Sequence, residues 1–154
     1  MRAGRHTKAR QQREAIRKAA DAKLEELETE TNELDNRKKE DLAVQDARIQ
    51  VFRAQADQAR TQLGRLEGLS EQRVSPTEMD QARLAVDVAR GQLEAAQAVR
   101  TQTQNTYRRQ SELAQVKKKG ILAERDQALQ QVPVVAAEQT QRLAHMRFDD
   151  CTLV

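Results

Sequence analysis

Apolar residues recur along this chain in steps of three and four. Ile49, Phe52, Ala56, Ala59, Leu63 and Leu66 are separated by 3, 4, 3, 4 and 3 positions. Met79, Ala82, Val86, Ala89, Leu93 and Ala96 repeat the same steps. Such alternation draws one stripe along a helix and is the seam of a coiled coil. Between the two runs stand Gly64, Gly68 and Pro76. Ser75-Pro76-Thr77-Glu78 is a helix start. Ser75 can cap, Pro76 sits where its missing N–H costs nothing, and Glu78 completes a capping box. One helix therefore ends near Leu69 and another begins at about Pro76. A connection of about six residues favours antiparallel neighbours. In an antiparallel hairpin, facing residues have position numbers with a constant total. Ile49 with Ala96, Phe52 with Leu93, Ala56 with Ala89, Ala59 with Val86, Leu63 with Ala82 and Leu66 with Met79 all total 145.

Farther from the turn the rhythm slips. Leu27 and Leu34 are one heptad apart, but Leu34 to Leu42 is eight residues, across "DNRKKED". In the second half, residues 100–112 are mostly polar and lead into "VKKKGIL". A fresh seam then follows at Leu122, Leu129, Val132, Ala136, Leu143 and Met146. A one-residue insertion moves the stripe around the helix and alters supercoiling locally. Gly120 weakens the second helix by about 1 kcal/mol relative to Ala. Pro133 predicts a kink near Leu129–Pro133. The fold expected is all-α, a long antiparallel coiled-coil helical hairpin over residues 1–147. Its arms cover about 8–69 and 76–147, with the tip at 70–75. The tail "FDDCTLV", residues 148–154, reads as the start of a strand.

Composition agrees with long exposed helices. Charged residues are 33% of the 154, aromatics 2%, and many of the apolar 38% are Ala. Ala, Glu, Lys, Arg, Leu and Gln all favour helix. Low hydrophobicity and high charge also suit a disordered chain, but disorder gives no reason for a repeated three-four rhythm. An Ala-rich seam buries little, so the hairpin is expected to be marginal alone and to be packed by something else. Net charge is +3, with seven Lys or Arg against one acid in residues 1–20. Such a basic end either serves nucleic acid or acidic lipid, or is a solvated terminus.

The chain carries little catalytic chemistry. His6 and His145 stand alone without ligand spacing. Cys151 has no base that the sequence identifies, and "KKKG" lacks the second glycine and the Ser or Thr of a phosphate loop. Nucleic-acid binding would want stacking aromatics beside the basic patches, and only Phe52, Tyr107 and Phe148 exist. No enzyme, metal or cofactor is expected, and no nucleic acid. No stretch approaches the ~18 apolar residues of a membrane span, and Met1–Arg10 has no apolar run behind it to act as a secretory signal.

The residues that the seam does not explain lie at the tip: Arg65, Leu69, Arg73, Val74 and Ser75. Here "RLEGLSEQRVSPTEMDQARLAV" resembles the tip of the HlyD-type membrane fusion proteins, the periplasmic adaptors of bacterial efflux and secretion systems. "LAQVKKKGILAERDQALQQ" is similar to the bend in the family's returning arm, and "ELDNRKKEDLAVQDARI" to the matching bend on the way out. "RFDDCTLV" looks like the point where the arm re-enters a lipoyl-like domain. The likeness covers residues 24–154. One departure is that five residues separate Leu69 from Ser75, where the family has six. The resemblance implies a homo-oligomeric tube of adaptors in the periplasm, associated with the inner membrane through parts outside this sequence. One end would engage an inner-membrane transporter and the hairpin tips a TolC-type outer-membrane channel. Arg65, Leu69, Arg73 and Ser75 would then form the channel contact. The seam of Phe52, Leu63, Leu66, Met79, Val86 and Leu93 would hold the arms. The rival expectation is a cytosolic structural or scaffolding coiled coil, a parallel dimer.

Overall fold

In a computed structural model the described residues are 2–69, 72–132 and 142–146. Two long helices pack against each other, α1 (Arg2–Glu67) and α2 (Pro76–Gln130). Their sequences are rich in strong helix formers, and local pairs add to this. Glu14 and Lys18 form an i,i+4 pair at 3.0 Å, with the acid on the N-terminal side, the better orientation. The β-branched threonines are accommodated by bonding back one turn, as Thr31 does to the Leu27 carbonyl at 2.8 Å and Thr103 to Val99 at 2.9 Å.

The chain divides into two units. The first is Met1–Thr31 with Glu112–Val154, the second Asn32–Ser111. In the second unit the shielded positions of α1 are 34, 38, 42, 45, 49, 52, 56, 59, 63 and 66. Subtracting each from 145 returns shielded positions of α2, from 111 down to 79. The partners reverse in order: Tyr107 bonds Asp41, and Arg100 bonds Asp46. The most shielded residues are Ile49 and four alanines, Ala56, Ala82, Ala89 and Ala96. Phe52, Leu63, Leu66, Met79, Val86 and Leu93 are half-buried along the same stripe. Alanines at the seam let two backbones approach closely, and larger neighbours cover them from the sides.

The slip at "DNRKKED" does not end the stripe. Leu34, Lys38 and Leu42 step by four and four, and so do Thr103, Tyr107 and Ser111. A run of 3, 4 and 4 is an eleven-residue repeat, which sits closer to the 3.6-residue turn than a heptad does. Both helices make the same adjustment at the same level, so register survives.

Among the described residues of the first unit, Ala20 and Leu27 are buried. The shielded positions of α1 read 6, 9, 13, 16, 20, 24, 27 and 31, and those of the later segment 114, 121, 122, 125, 128, 129 and 132. Lys23 and Glu124 pair at 3.7 Å on the surface, a contact worth little where both side chains are well exposed. The end of α2 is closed from the other helix. The Arg13 guanidinium donates to the Leu129 and Val132 carbonyls, each at 2.9 Å. Leu129 lies in the last turn of α2 and Val132 just beyond it, where carbonyls run short of intrahelical donors, and a cation there also suits the helix dipole. Gln131 N–H to Gln127 O and Val132 N–H to Leu129 O, both 3.3 Å, finish the turn.

Two features differ from expectation. The helix of the second arm stops at Gln130 rather than running to 147. Pro133 follows three residues on, and its ring clash and missing N–H disfavour continuing the helix across it. Residues 142–146 are again helical, but Leu143 and Met146 are exposed at 62% and 65%, so they do not continue the seam. Leu122, Leu129 and Val132 are half-buried, as the spacing predicts. Ala136 and the strand-like tail 148–154 lie outside the described residues.

Ala56 is 2% exposed and stands opposite Ala89 in the register. Ala56→Leu would force the helices apart there and destabilise the protein by about 1–3 kcal/mol. Urea unfolding followed by circular dichroism reads this as a lower midpoint, and an unchanged midpoint would mean the seam has room.

Candidate partner-contact tip and polar layer

The tip is built by two different helix ends. At the close of α1, Gly68 N–H donates to Gly64 O at 3.1 Å and Leu69 N–H to Leu66 O at 3.2 Å. The second bond spans three residues, so the last turn tightens before the chain leaves the helix. Among the described residues no backbone φ is positive, so α1 ends without a left-handed glycine. At the start of α2 the capping box forms. Glu78 N–H donates to Ser75 Oγ at 3.1 Å, and Ser75 N–H donates to Glu78 Oε2 at 3.0 Å. Arg65 lies in the last turn of α1 and Glu78 in the first turn of α2, each the favourable sign for its helix end.

Arg65, Leu69, Arg73 and Ser75 are all exposed, Leu69 at 46%. Val74 is half-buried. Leu66 and Met79 form the last shielded level of the stripe beneath them. The expected tip residues thus lie at one end of the hairpin, as an apolar side chain with two guanidinium groups and a hydroxyl nearby in sequence.

A second set of polar groups occupies the stripe of the same unit. Lys38, Gln45, Arg100, Thr103, Tyr107 and Ser111 hold positions that are apolar elsewhere. Tyr107 donates its hydroxyl to the Asp41 carboxylate, and Arg100 donates Nε–H to Asp46. The bond to Asp46, then its charge, raises the Arg100 pKa. The bond to Asp41, followed by desolvation and the carboxylate's charge, raises that of Tyr107. Gln45 Oε1 is buried with no hydrogen-bond partner, a cost of about 1–3 kcal/mol for a buried acceptor. Sequence reasoning stopped the seam at Ala96 because residues 100–112 are polar. Continuing the same steps through 100, 103 and 107 would have found this layer.

Among the described residues there is no group of three or more His, Cys, Asp or Glu that could hold a metal. Nor is any helix long and apolar enough to cross a membrane. A scan against protein-family models and searches of curated proteins and solved structures return no match to this chain.

The sign of the Tyr107 shift sets a pH dependence. The bond needs the neutral phenol, so folding gains from it below the ordinary phenol pKa of about 10. The gain disappears as pH rises through the raised folded value. With one Tyr and no Trp in the chain, tyrosinate absorbance reports this group alone. The midpoint is expected to fall towards the ordinary value in Asp41→Asn, and equal midpoints would show that the bond is not held in solution.

Proposed function

We propose that the chain is the helical hairpin of a periplasmic adaptor, linking an inner-membrane transporter to a TolC-type outer-membrane channel in efflux or secretion. On this reading the two helices are an antiparallel coiled coil, and the hairpins assemble side by side into a tube with their tips on the channel. The observation that carries it is the tip. Beside a capped helix start, Leu69 and the Arg65 and Arg73 guanidinium groups are exposed to solvent, although the hairpin needs none of them for its seam. Exposed apolar and Arg side chains at a fixed end are what a protein contact uses. Leu69 would enter a groove between channel helices, and Arg65 would donate to a carboxylate or carbonyl at its rim. Arg73 would add a second cation, and Ser75 would contact the channel while holding the cap. The role is binding, with no reaction and no cofactor. Residues 148–154 would begin a strand of a lipoyl-like domain.

Two experiments test the reading. In a Cys151→Ser background, Phe52→Cys with Leu93→Cys should form a disulfide within one chain. A crosslinked band at twice the chain mass would instead indicate a parallel dimer. Channel binding should weaken at least tenfold, about 1.4 kcal/mol, in Leu69→Asp and in Arg65→Ala. Binding of a TolC-type channel that neither change affects, measured on immobilised full chain, would remove the tip from the contact.

A further inference from the structure

The alanine-rich seam of the second unit does not by itself fix which level of α1 meets which level of α2. Its apolar steps repeat every heptad, so sliding one helix by a heptad again sets apolar against apolar. At a total of 138 in place of 145, Ile49 would face Ala89, Phe52 would face Val86, Ala56 would face Ala82 and Ala59 would face Met79. At a total of 152, Ala56 would face Ala96, Ala59 would face Leu93, Leu63 would face Ala89 and Leu66 would face Val86. The turn does little to forbid the first of these slips. α2 would keep its start at Pro76 and its capping box, and α1 would give up only its last turn, which begins at Gly64. Glycine is a poor helix former and adds little to holding that turn.

We propose that the polar layer is the register lock of the hairpin. Lys38, Gln45, Arg100 and Tyr107, with Asp41 and Asp46 beside them, single out the total of 145 among the levels that the seam allows. The inference rests on the antiparallel arrangement and is independent of what the tip binds. In the observed register Arg100 stands level with Gln45 and donates to Asp46, one residue along. Tyr107 stands level with Lys38 and donates to Asp41. Both carboxylates thus receive a donor from α2. At 138, Arg100 would come level with Lys38, so two cations would share one level of a half-buried stripe. Asp46 would come level with Gln92 and lose its arginine. Arg100 could then reach Asp41, but Tyr107 would be left without its acceptor. At 152, Ile49 and Phe52 would face Thr103 and Arg100, so the polar layer would lie across the apolar seam. The Arg100 and Asp46 side chains are 35% and 50% exposed, so their attraction alone contributes little. The layer acts chiefly by penalising the wrong levels, where half-buried polar groups are left unmatched. Polar residues in an apolar stripe give up stability for register in this way. Gln45 Oε1, buried without a partner, is such a loss in the register that forms.

Disulfide trapping in a Cys151→Ser background reads the register. Ala56→Cys with Ala89→Cys reports the total of 145, and Ala56→Cys with Ala82→Cys reports 138. In the otherwise wild-type chain only the first pair should close within one chain. Arg100→Asp sets a carboxylate beside Asp46 in the native register and opposite Lys38 in the slipped one. It should raise the ratio of slipped to native crosslink by about tenfold or more, and adding Asp46→Arg should lower it again. Lys38→Leu, Gln45→Leu, Arg100→Leu and Tyr107→Leu combined should raise the ratio by about as much, tenfold or more, in a chain that stays helical by circular dichroism. An unchanged ratio in either variant would overturn the register lock and leave the hairpin standing. Failure of both cysteine pairs to close within one chain, with the polar layer intact, would remove the antiparallel arrangement and the lock with it.

Discussion

The hairpin depends on a register that both helices keep together. Within the second unit, shielded position n on α1 has its counterpart at 145 minus n on α2, from Leu34 and Ser111 to Leu66 and Met79. An extra residue in one helix alone would rotate its stripe by about 100° away from its partner. The chain makes its extra step in both, at Leu34–Lys38–Leu42 and at Thr103–Tyr107–Ser111. The adjustment is therefore shared, and packing continues through a stretch that is polar in composition. Without that coincidence, the polar layer would point away from its partner and the alanine seam would be the only contact in the unit.

The same constraint explains how the structure distributes its stabilisation. Alanines at Ala56, Ala82, Ala89 and Ala96 bring the helices close but remove little apolar area from water. Polar contacts then act mainly at the margins and ends. Ser75 and Glu78 close the start of α2, and Arg13 closes its end from across the first unit. Tyr107 and Arg100 turn the polar stripe positions to use by reaching carboxylates on α1. Gln45, whose buried oxygen lacks a partner, marks where that arrangement is least complete.

A hairpin of this kind exposes more surface than it uses, and its parts differ in chemistry. The tip offers Leu69 with Arg65 and Arg73, one long side offers valine and glutamine, and the other offers alternating charge.

The sequence by itself determined the two helices, the place of the turn, the capping box and the stripe from Ile49 to Ala96. All of these follow from local rules: a three-four spacing, a proline at a helix start, and a glutamate three residues beyond a serine. The tip residues were legible because they fell outside the seam. Their exposure agrees with that reading, while their partner is a matter of chemistry supplied by another molecule. Only the tertiary structure decided that Lys38 and Tyr107 belong to the stripe. Their polarity hides them from a hydrophobic pattern, and their place is set by the neighbouring helix. It also decided that α2 stops at Gln130 and that an arginine more than a hundred residues away closes it. Whether the carbonyls at a helix end find a donor depends on which side chain the packing brings across.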